Sequence, residues 1–296
     1  MIIVTGATGH LGRAIVMQLL HRIPAAGIGV SVRDRAKAAD LTARGVRVRE
    51  ADFSDATRVR NAFEGATQVL LVSSNARAVG GDAVVQHRTA IDAARDAGAT
   101  RIVYTSHMAV SDTSAFAPMR DHFETERLLR ESGVAWTALR NGFYGASGIA
   151  MMGDAFDTGL LEVPADGPVS WTAHADLAEA SAIILATPGM YEGPTPPLTG
   201  AAALDFTSLA ALTSEARGTP VRRTIITDDA LRAKMAARGA PARTVDTVLG
   251  FFIASRNCEF AAVDPTLEQL LGRSPIAMRE LLAGKVSQHG AASATH

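Results

Sequence analysis

One cysteine, Cys258, is all that this chain of 296 residues carries. A lone thiol excludes an intramolecular disulfide framework and suits a reducing cytoplasm. The eight histidines are scattered, and no pair has the spacing of a metal-ligand set, so no metal is expected. Charge of neither sign dominates, because 29 Lys and Arg stand against 30 Asp and Glu for a formal net charge of −1. That balance gives no electrostatic reason to expect nucleic acid or an acidic membrane surface as a partner. No apolar run approaches membrane-spanning length, and an apolar strand begins at residue 1, leaving no room for a signal peptide. These absences predict a soluble, cytoplasmic protein, monomeric or homodimeric, whose partner is a small molecule.

What is present is apolar material in quantity: 47% of residues are hydrophobic and 20% charged. A substantial core follows, in one two-lobed domain or a large domain with a smaller appendage. Short apolar runs at 1–4, 27–32, 46–48, 68–72, 101–106 and 134–140 alternate with helical patterns at 13–20, 36–44, 56–63, 84–97 and 123–130. Strands alternating with helices predict an α/β fold, a doubly wound parallel sheet with helices on both faces and right-handed crossovers. Ligands in such sheets sit at the carboxyl ends of the strands. The second half is less regular. It has an apolar helix at 175–186, a Pro- and Gly-rich loop at 188–197, and helices at 206–217, 229–238 and 241–256. In the last of these, Val245, Leu249, Phe252 and Ile253 recur at helical spacing and read as packing. The expected division is 1–150 for the core, 151–285 for a segment completing it and forming a smaller C-terminal α/β lobe, and 286–296 for a disordered tail.

Gly6-Ala7-Thr8-Gly9-His10-Leu11-Gly12 follows the apolar run Met1-Ile2-Ile3-Val4 and leads straight into the first helical pattern. Strand, glycine-rich turn and helix together make a phosphate site, because backbone N–H groups at a helix N-terminus face the ligand and the helix dipole favours negative charge. Glycines are needed where a side chain would keep the backbone from a pyrophosphate. This context predicts a dinucleotide site.

The residues just after each strand are then the candidates. Arg33 follows the second strand, where an acidic residue would bond the ribose hydroxyls of NAD and an arginine pairs with the 2′-phosphate of NADP. Asp52 and Phe53 follow the third. The carboxylate either accepts from the adenine amino group or caps the next helix, and the aromatic can cover the ring. Ser73, Ser74 and Asn75 follow the fourth and line the cofactor's central portion. Ser106 and His107 end the fifth, where a serine either bonds the substrate or merely ends a strand. Asn141 and Gly142 end the sixth. The amide can orient a nicotinamide carboxamide, and the glycine lets the backbone approach the ring.

Several segments together resemble the NmrA-like, atypical branch of the short-chain dehydrogenase/reductase superfamily. They are Val4-Thr5-Gly6-Ala7-Thr8-Gly9-His10-Leu11-Gly12, Val32-Arg33, Gln86-His87-Arg88, Tyr104-Thr105-Ser106, His122-Phe123-Glu124-Thr125-Glu126 and Leu139-Arg140-Asn141-Gly142-Phe143-Tyr144. His174-Ala175-Asp176-Leu177-Ala178 and Pro197-Leu198-Thr199-Gly200 fit the same branch. Within it the set is most similar to bacterial NAD(P)H:quinone oxidoreductases, with triphenylmethane-dye reductases next. The resemblance covers most of the chain and implies a Rossmann-type fold and NADP(H) as cofactor. It also implies cofactor contacts at the glycine turn, at Arg33, around Ser73–Asn75 and along Leu139, Arg140, Asn141, Gly142, Phe143 and Tyr144.

One departure bears on mechanism. Typical members of the superfamily carry Tyr-x-x-x-Lys on the helix after the fifth strand. Here the register set by Glu126 puts Pro118 at the tyrosine and His122 at the lysine. Tyr104 lies within a strand and is not read as a substitute. Reducing a ketone needs a placed proton donor, whereas a quinone or cationic dye delocalises the charge and can be protonated by water. The expected activity is NADPH-dependent hydride transfer to a quinone-like or similar electrophilic aromatic acceptor, with Tyr144 and His122 as the candidate donors. The alternatives are a non-catalytic NADP(H)-binding redox sensor of the NmrA type, or a reductase of a dye, imine or enone.

Overall fold

Six apolar runs become strands: β1 (Ile2–Thr5), β2 (Ile28–Val32), β3 (Arg47–Glu50), β4 (Gln68–Leu71), β5 (Arg101–His107) and β6 (Ala135–Asn141). The computed structural model describes Met1–Ser293. The chain forms two units, one of Met1–Asp112, Met119–Asn141 and His174–Pro196, the other of Thr113–Pro118, Gly142–Ala173 and the residues from Pro197 onward.

In the first unit the six strands and a short seventh, Gly193–Pro194, lie parallel in the order Gly193–Pro194, β6, β5, β4, β1, β2, β3. The order reverses between β1 and β4, whose registers Ile2↔Ile28 and Ile2↔Gln68 set the central strand between its neighbours. That reversal is the switch point at which such sheets bind ligands. The crossovers are α1 (His10–Leu20), α2 (Ala39–Ala43), α3 (Ala56–Phe63), α4 (Ala83–Asp96) and α5 (Pro118–Glu131). Successive strand residues face opposite ways. Ile3, Val69, Leu71, Ile102 and Tyr104 thus meet Val59, Phe63, Ala90, Ile91, Ala94 and Leu129 of α3, α4 and α5. On the other face, α1 packs against the helix His174–Ala186, and the Gln68 side-chain amide donates to the Leu185 carbonyl at 3.1 Å.

Three boundaries differ from expectation. The helix read as 123–130 begins at Pro118, because the fixed φ and missing N–H of proline suit a first helical turn. Inside the loop read as 188–197, Gly193 and Pro194 pair with Thr137 and Ala138 of β6, an edge position where proline is tolerated. The division expected at 150 instead falls at Asn141, and the chain returns at His174 because the helix there is too apolar to face water.

The second unit holds two short parallel pairs, Phe143–Tyr144 with Trp171–Thr172 and Leu160–Val163 with Arg222–Ile225. Its core is aromatic: Phe116, Phe143, Trp171, Phe206, Phe251 and Phe260 meet mostly edge to face, while Phe251 and Phe260 stack at 5.5 Å. Val245, Leu249 and Phe252 are buried as packing residues, whereas Ile253 is exposed. The segment expected as a tail is helical through Ser293, within Met278–Ser293. Buried Met278 and Leu282 anchor that helix, which packs on Phe206–Arg217. Residues 294–296 lie outside the described residues. Among the described residues no helix is long and apolar enough to cross a membrane.

Candidate dinucleotide site

The glycine turn closes on itself before it meets any ligand. Gly6 sits at φ +63°, and its carbonyl accepts the Gly9 N–H at 2.9 Å. Gly9 caps α1 with extended backbone and no side-chain hydrogen bond, so the first N–H groups of the helix are left for an anion. Thr8, Gly9 and His10 are exposed, while Leu11 and Gly12 turn inward.

Gly6, Thr8 and Gly9 form one wall of a cleft of about 240 Å³ that also takes in Arg33, Asp52, Phe53, Ser73, Ser74 and Asn75. The residues expected after β1 to β4 are therefore brought together. Arg33 is exposed and makes no hydrogen bond or ion pair among the described residues. Asp52 does not cap α3. Its Oδ1 accepts from the Ser54 N–H at 2.8 Å and hydroxyl at 2.6 Å, and the cap is Asp55, which accepts from the Arg58 N–H at 3.0 Å. Those Ser54 bonds, aided by nearby Arg33, hold the Asp52 carboxyl below its ordinary range. Ser73 and Ser74 are pinned through their backbone N–H groups, to Thr105 Oγ1 and His87 Nε2, each at 2.8 Å.

The residues that end β5 and β6 divide differently. The Ser106 hydroxyl donates to Glu126 at 2.7 Å, and Glu126 pairs with Arg140 at 2.9 Å. With Ser106 and Glu126 buried, these side chains are occupied in tying β5, α5 and β6 together rather than lining the cleft. Leu139 is wholly buried in the sheet. Asn141 is different: it is buried, and neither its amide oxygen nor its nitrogen has a hydrogen-bond partner among the described residues.

Gly142, Phe143 and Tyr144 belong to the second unit. A Cβ at Gly142 would lie 2.2 Å from Thr172 Oγ1, so that glycine is required by packing. The Phe143 ring lies in the aromatic core, and Tyr144 pairs in register with Thr172. That unit also contains a cavity of about 440 Å³ lined by Met152, Leu161, Val163, Leu231, Met235 and Phe252. The ion pairs Lys234–Glu162 and Arg238–Asp154 belong to the same lining.

Tyr104 is the residue that strand assignment alone misses. Its buried hydroxyl lies 2.7 Å from His122 Nδ1. The signal was its register: Tyr104 shares a sheet face with Ile102, the face that α5 covers. The segment His122-Phe123-Glu124-Thr125-Glu126 now has a physical reading. His122 meets Tyr104, Thr125 meets His87 Nδ1 at 2.8 Å, and Glu126 meets Ser106 and Arg140. Burial pushes His122 down to about 4 and His87 down to about 3, and holds the Tyr104 phenol well above its ordinary value.

Comparison with known proteins agrees with this geometry. A family model described as NAD(P)H-binding matches residues 6–158. Quinone oxidoreductase 2 of Escherichia coli K12 is 33% identical over 281 residues, which span 95% of this chain and 96% of that protein. The solved structure of an NADPH-dependent quinone oxidoreductase from Escherichia coli with NADPH matches at a TM-score of 0.87 and 33% identity, covering 97% of this chain and 99% of that one. Citrobacter sp. triphenylmethane reductase, solved with NADP(H), matches at a TM-score of 0.85 and 28% identity, covering 97% and 100%.

Proposed function

Because the chain belongs to the NmrA-like family of NAD(P)H-binding proteins, we propose that it is an NADPH-dependent oxidoreductase that passes hydride to a quinone or similar electrophilic aromatic acceptor. The cleft fits the cofactor. The uncapped N-terminus of α1 and the backbone of Gly6, Thr8, Gly9, His10, Leu11 and Gly12 hold a pyrophosphate. Arg33, exposed and without a partner of its own among the described residues, binds the 2′-phosphate and selects NADPH over NADH. Asp52 and Phe53 meet the adenine, and Ser73, Ser74 and Asn75 line the middle of the cleft. The unpartnered amide of Asn141 is suited to orient a carboxamide. NADPH bound there supplies the hydride.

The observation that carries the acceptor class is the start of α5. Pro118 opens the helix and His122 stands one turn further on, so neither the phenol nor the ammonium of a Tyr-x-x-x-Lys pair is present. An acceptor reduced at such a site must tolerate a weak donor. A quinone does, since its anion is delocalised and water can complete the protonation. Tyr144 and His122 are the side chains proposed to assist. The names of the Escherichia coli and Citrobacter relatives support the same class of acceptor.

The test is steady-state NADPH oxidation with benzoquinone, naphthoquinone and a triphenylmethane dye, with NADH as control. Turnover with the quinones and a preference for NADPH are expected. Tight NADPH binding without turnover of any acceptor would replace this reading with that of a redox sensor. Turnover confined to a dye, imine or enone would move the acceptor class.

A further inference from the structure

Tyr104 presents a hydroxyl at the centre of a group of imidazoles inside the first unit. Oη lies 2.7 Å from His122 Nδ1 and 3.5 Å from Ser73 Oγ, a residue of the nucleotide cleft. His87 meets the phenol ring edge-on at 5.3 Å, and His107 stacks on His122 at 6.1 Å.

Backbone N–H donors fix the protons of His87 and His107. The Ser74 N–H donates to His87 Nε2, so the His87 proton is on Nδ1, where it faces Thr125 Oγ1. The Thr125 hydroxyl in turn donates to the Asp121 carbonyl at 2.7 Å. The Ala109 N–H donates to His107 Nδ1 at 3.1 Å, which puts the His107 proton on Nε2. His122 is neutral near pH 7, since burial outweighs Asp121 and Glu126, the charged groups that face it from its own helix. Burial keeps the Tyr104 phenol protonated, and its one proton has two acceptors within reach, His122 Nδ1 at 2.7 Å and Ser73 Oγ at 3.5 Å, the nearer offering the stronger bond. With the phenol donating to Nδ1, the single proton of His122 sits on Nε2. That nitrogen makes no hydrogen bond among the described residues, and His122 as a residue is half-buried.

Building on the reductase reading above, we propose that Tyr104 is a positioning residue for His122. Its hydroxyl locks the imidazole in the Nε2–H tautomer, so that His122 offers a neutral hydrogen-bond donor to the acceptor oxygen that gains negative charge. No proton leaves the imidazole in this scheme, and the quinol anion takes its proton from water. The device therefore acts on acceptors that become oxyanions. A cationic triphenylmethane dye does not: hydride on its central carbon gives a neutral product with no charged oxygen to stabilise.

The experiment compares naphthoquinone with a cationic triphenylmethane dye in the full-length protein. Tyr104→Phe and His122→Leu should each lower kcat for naphthoquinone about tenfold or more. The loss with the dye should be several-fold smaller than the loss with naphthoquinone, and His122→Gln, which keeps an N–H near Nε2, should recover much of the quinone rate. Nitrogen-15 NMR should show a single Nε2–H tautomer of His122 in the wild type and a mixture in Tyr104→Phe. Equal losses with dye and quinone, or an unchanged tautomer in Tyr104→Phe, would overturn the proposal. If the wild type binds NADPH but reduces neither acceptor, the reductase reading fails instead, and the tautomer result alone decides whether Tyr104 positions His122.

Discussion

A Cβ added to Gly12 would stand 2.4 Å from the carbonyl oxygen of Gly6. The third glycine of the turn is thus required by the first, through backbone that cannot yield without opening the turn. Gly12→Ala should raise the Kd for NADPH about tenfold or more and lower Tm, since relieving such a clash costs about 1–3 kcal/mol. Fluorescence titration with NADPH and a thermal melt check both effects. Wild-type affinity in Gly12→Ala would show that the turn does not hold the pyrophosphate.

Arg33 has no hydrogen bond or ion pair to lose among the described residues. Arg33→Ala should leave the unfolding midpoint unchanged while weakening NADPH about ten- to a hundredfold, the range for a charge-assisted contact to phosphate. NADH affinity should not move. A parallel loss of NADH binding would mean that Arg33 contacts something other than the 2′-phosphate.

Asn141 gives the opposite pairing of effects. Its amide has no hydrogen bond to lose among the described residues, so Asn141→Leu should be neutral or stabilising by about 0–2 kcal/mol in urea unfolding. The same variant should weaken NADPH binding or lower kcat. A strongly destabilised variant would reveal a structural role for the amide.

The buried imidazoles predict an acid-sensitive fold. His87 and His122 are pushed from an ordinary 6.5 down to about 3 and about 4, and His107 lies well below its ordinary value. Between about pH 6.5 and pH 4 the unfolded chain binds protons that the folded chain refuses. Stability fully present above about pH 6.5 should therefore fall as the pH drops through that window. Urea midpoints measured from pH 8 to pH 4 test this, and His87→Gln should flatten the curve. A midpoint independent of pH over that range would contradict the burial of these rings as charged-state penalties.

Much of the first unit was legible because its signals are local. The glycine turn, the alternation of strand and helix, and the residues after β1 to β4 each follow from a few neighbouring positions, and the cleft gathers them as expected. The ends of β5 and β6 were less legible. Ser106, Glu126 and Arg140 lie on three separate elements, and no local pattern shows that they satisfy one another. Phe143 looked like part of a cofactor segment, yet its ring is needed by an aromatic core assembled from distant stretches of chain. The start of α5 at Pro118 and the helix through Ser293 were missed because packing and first-turn geometry outweighed composition there.

By itself, the sequence determined that the chain builds a parallel α/β sheet with a glycine-rich turn after its first strand. Apolar periodicity and the positions of Gly6, Gly9 and Gly12 dictate backbone geometry locally. It also determined that an arginine, not an acid, follows the second strand. Only the tertiary structure decided which polar groups spend their hydrogen bonds inside the fold and which do not. Ser106 and Arg140 are satisfied within it, while Arg33, the Asn141 amide and His122 Nε2 make no hydrogen bond among the described residues. The reason is that burial and partnership depend on contacts between residues far apart in the chain, such as Tyr104 with His122, and these exist only once the sheet and its helices have packed.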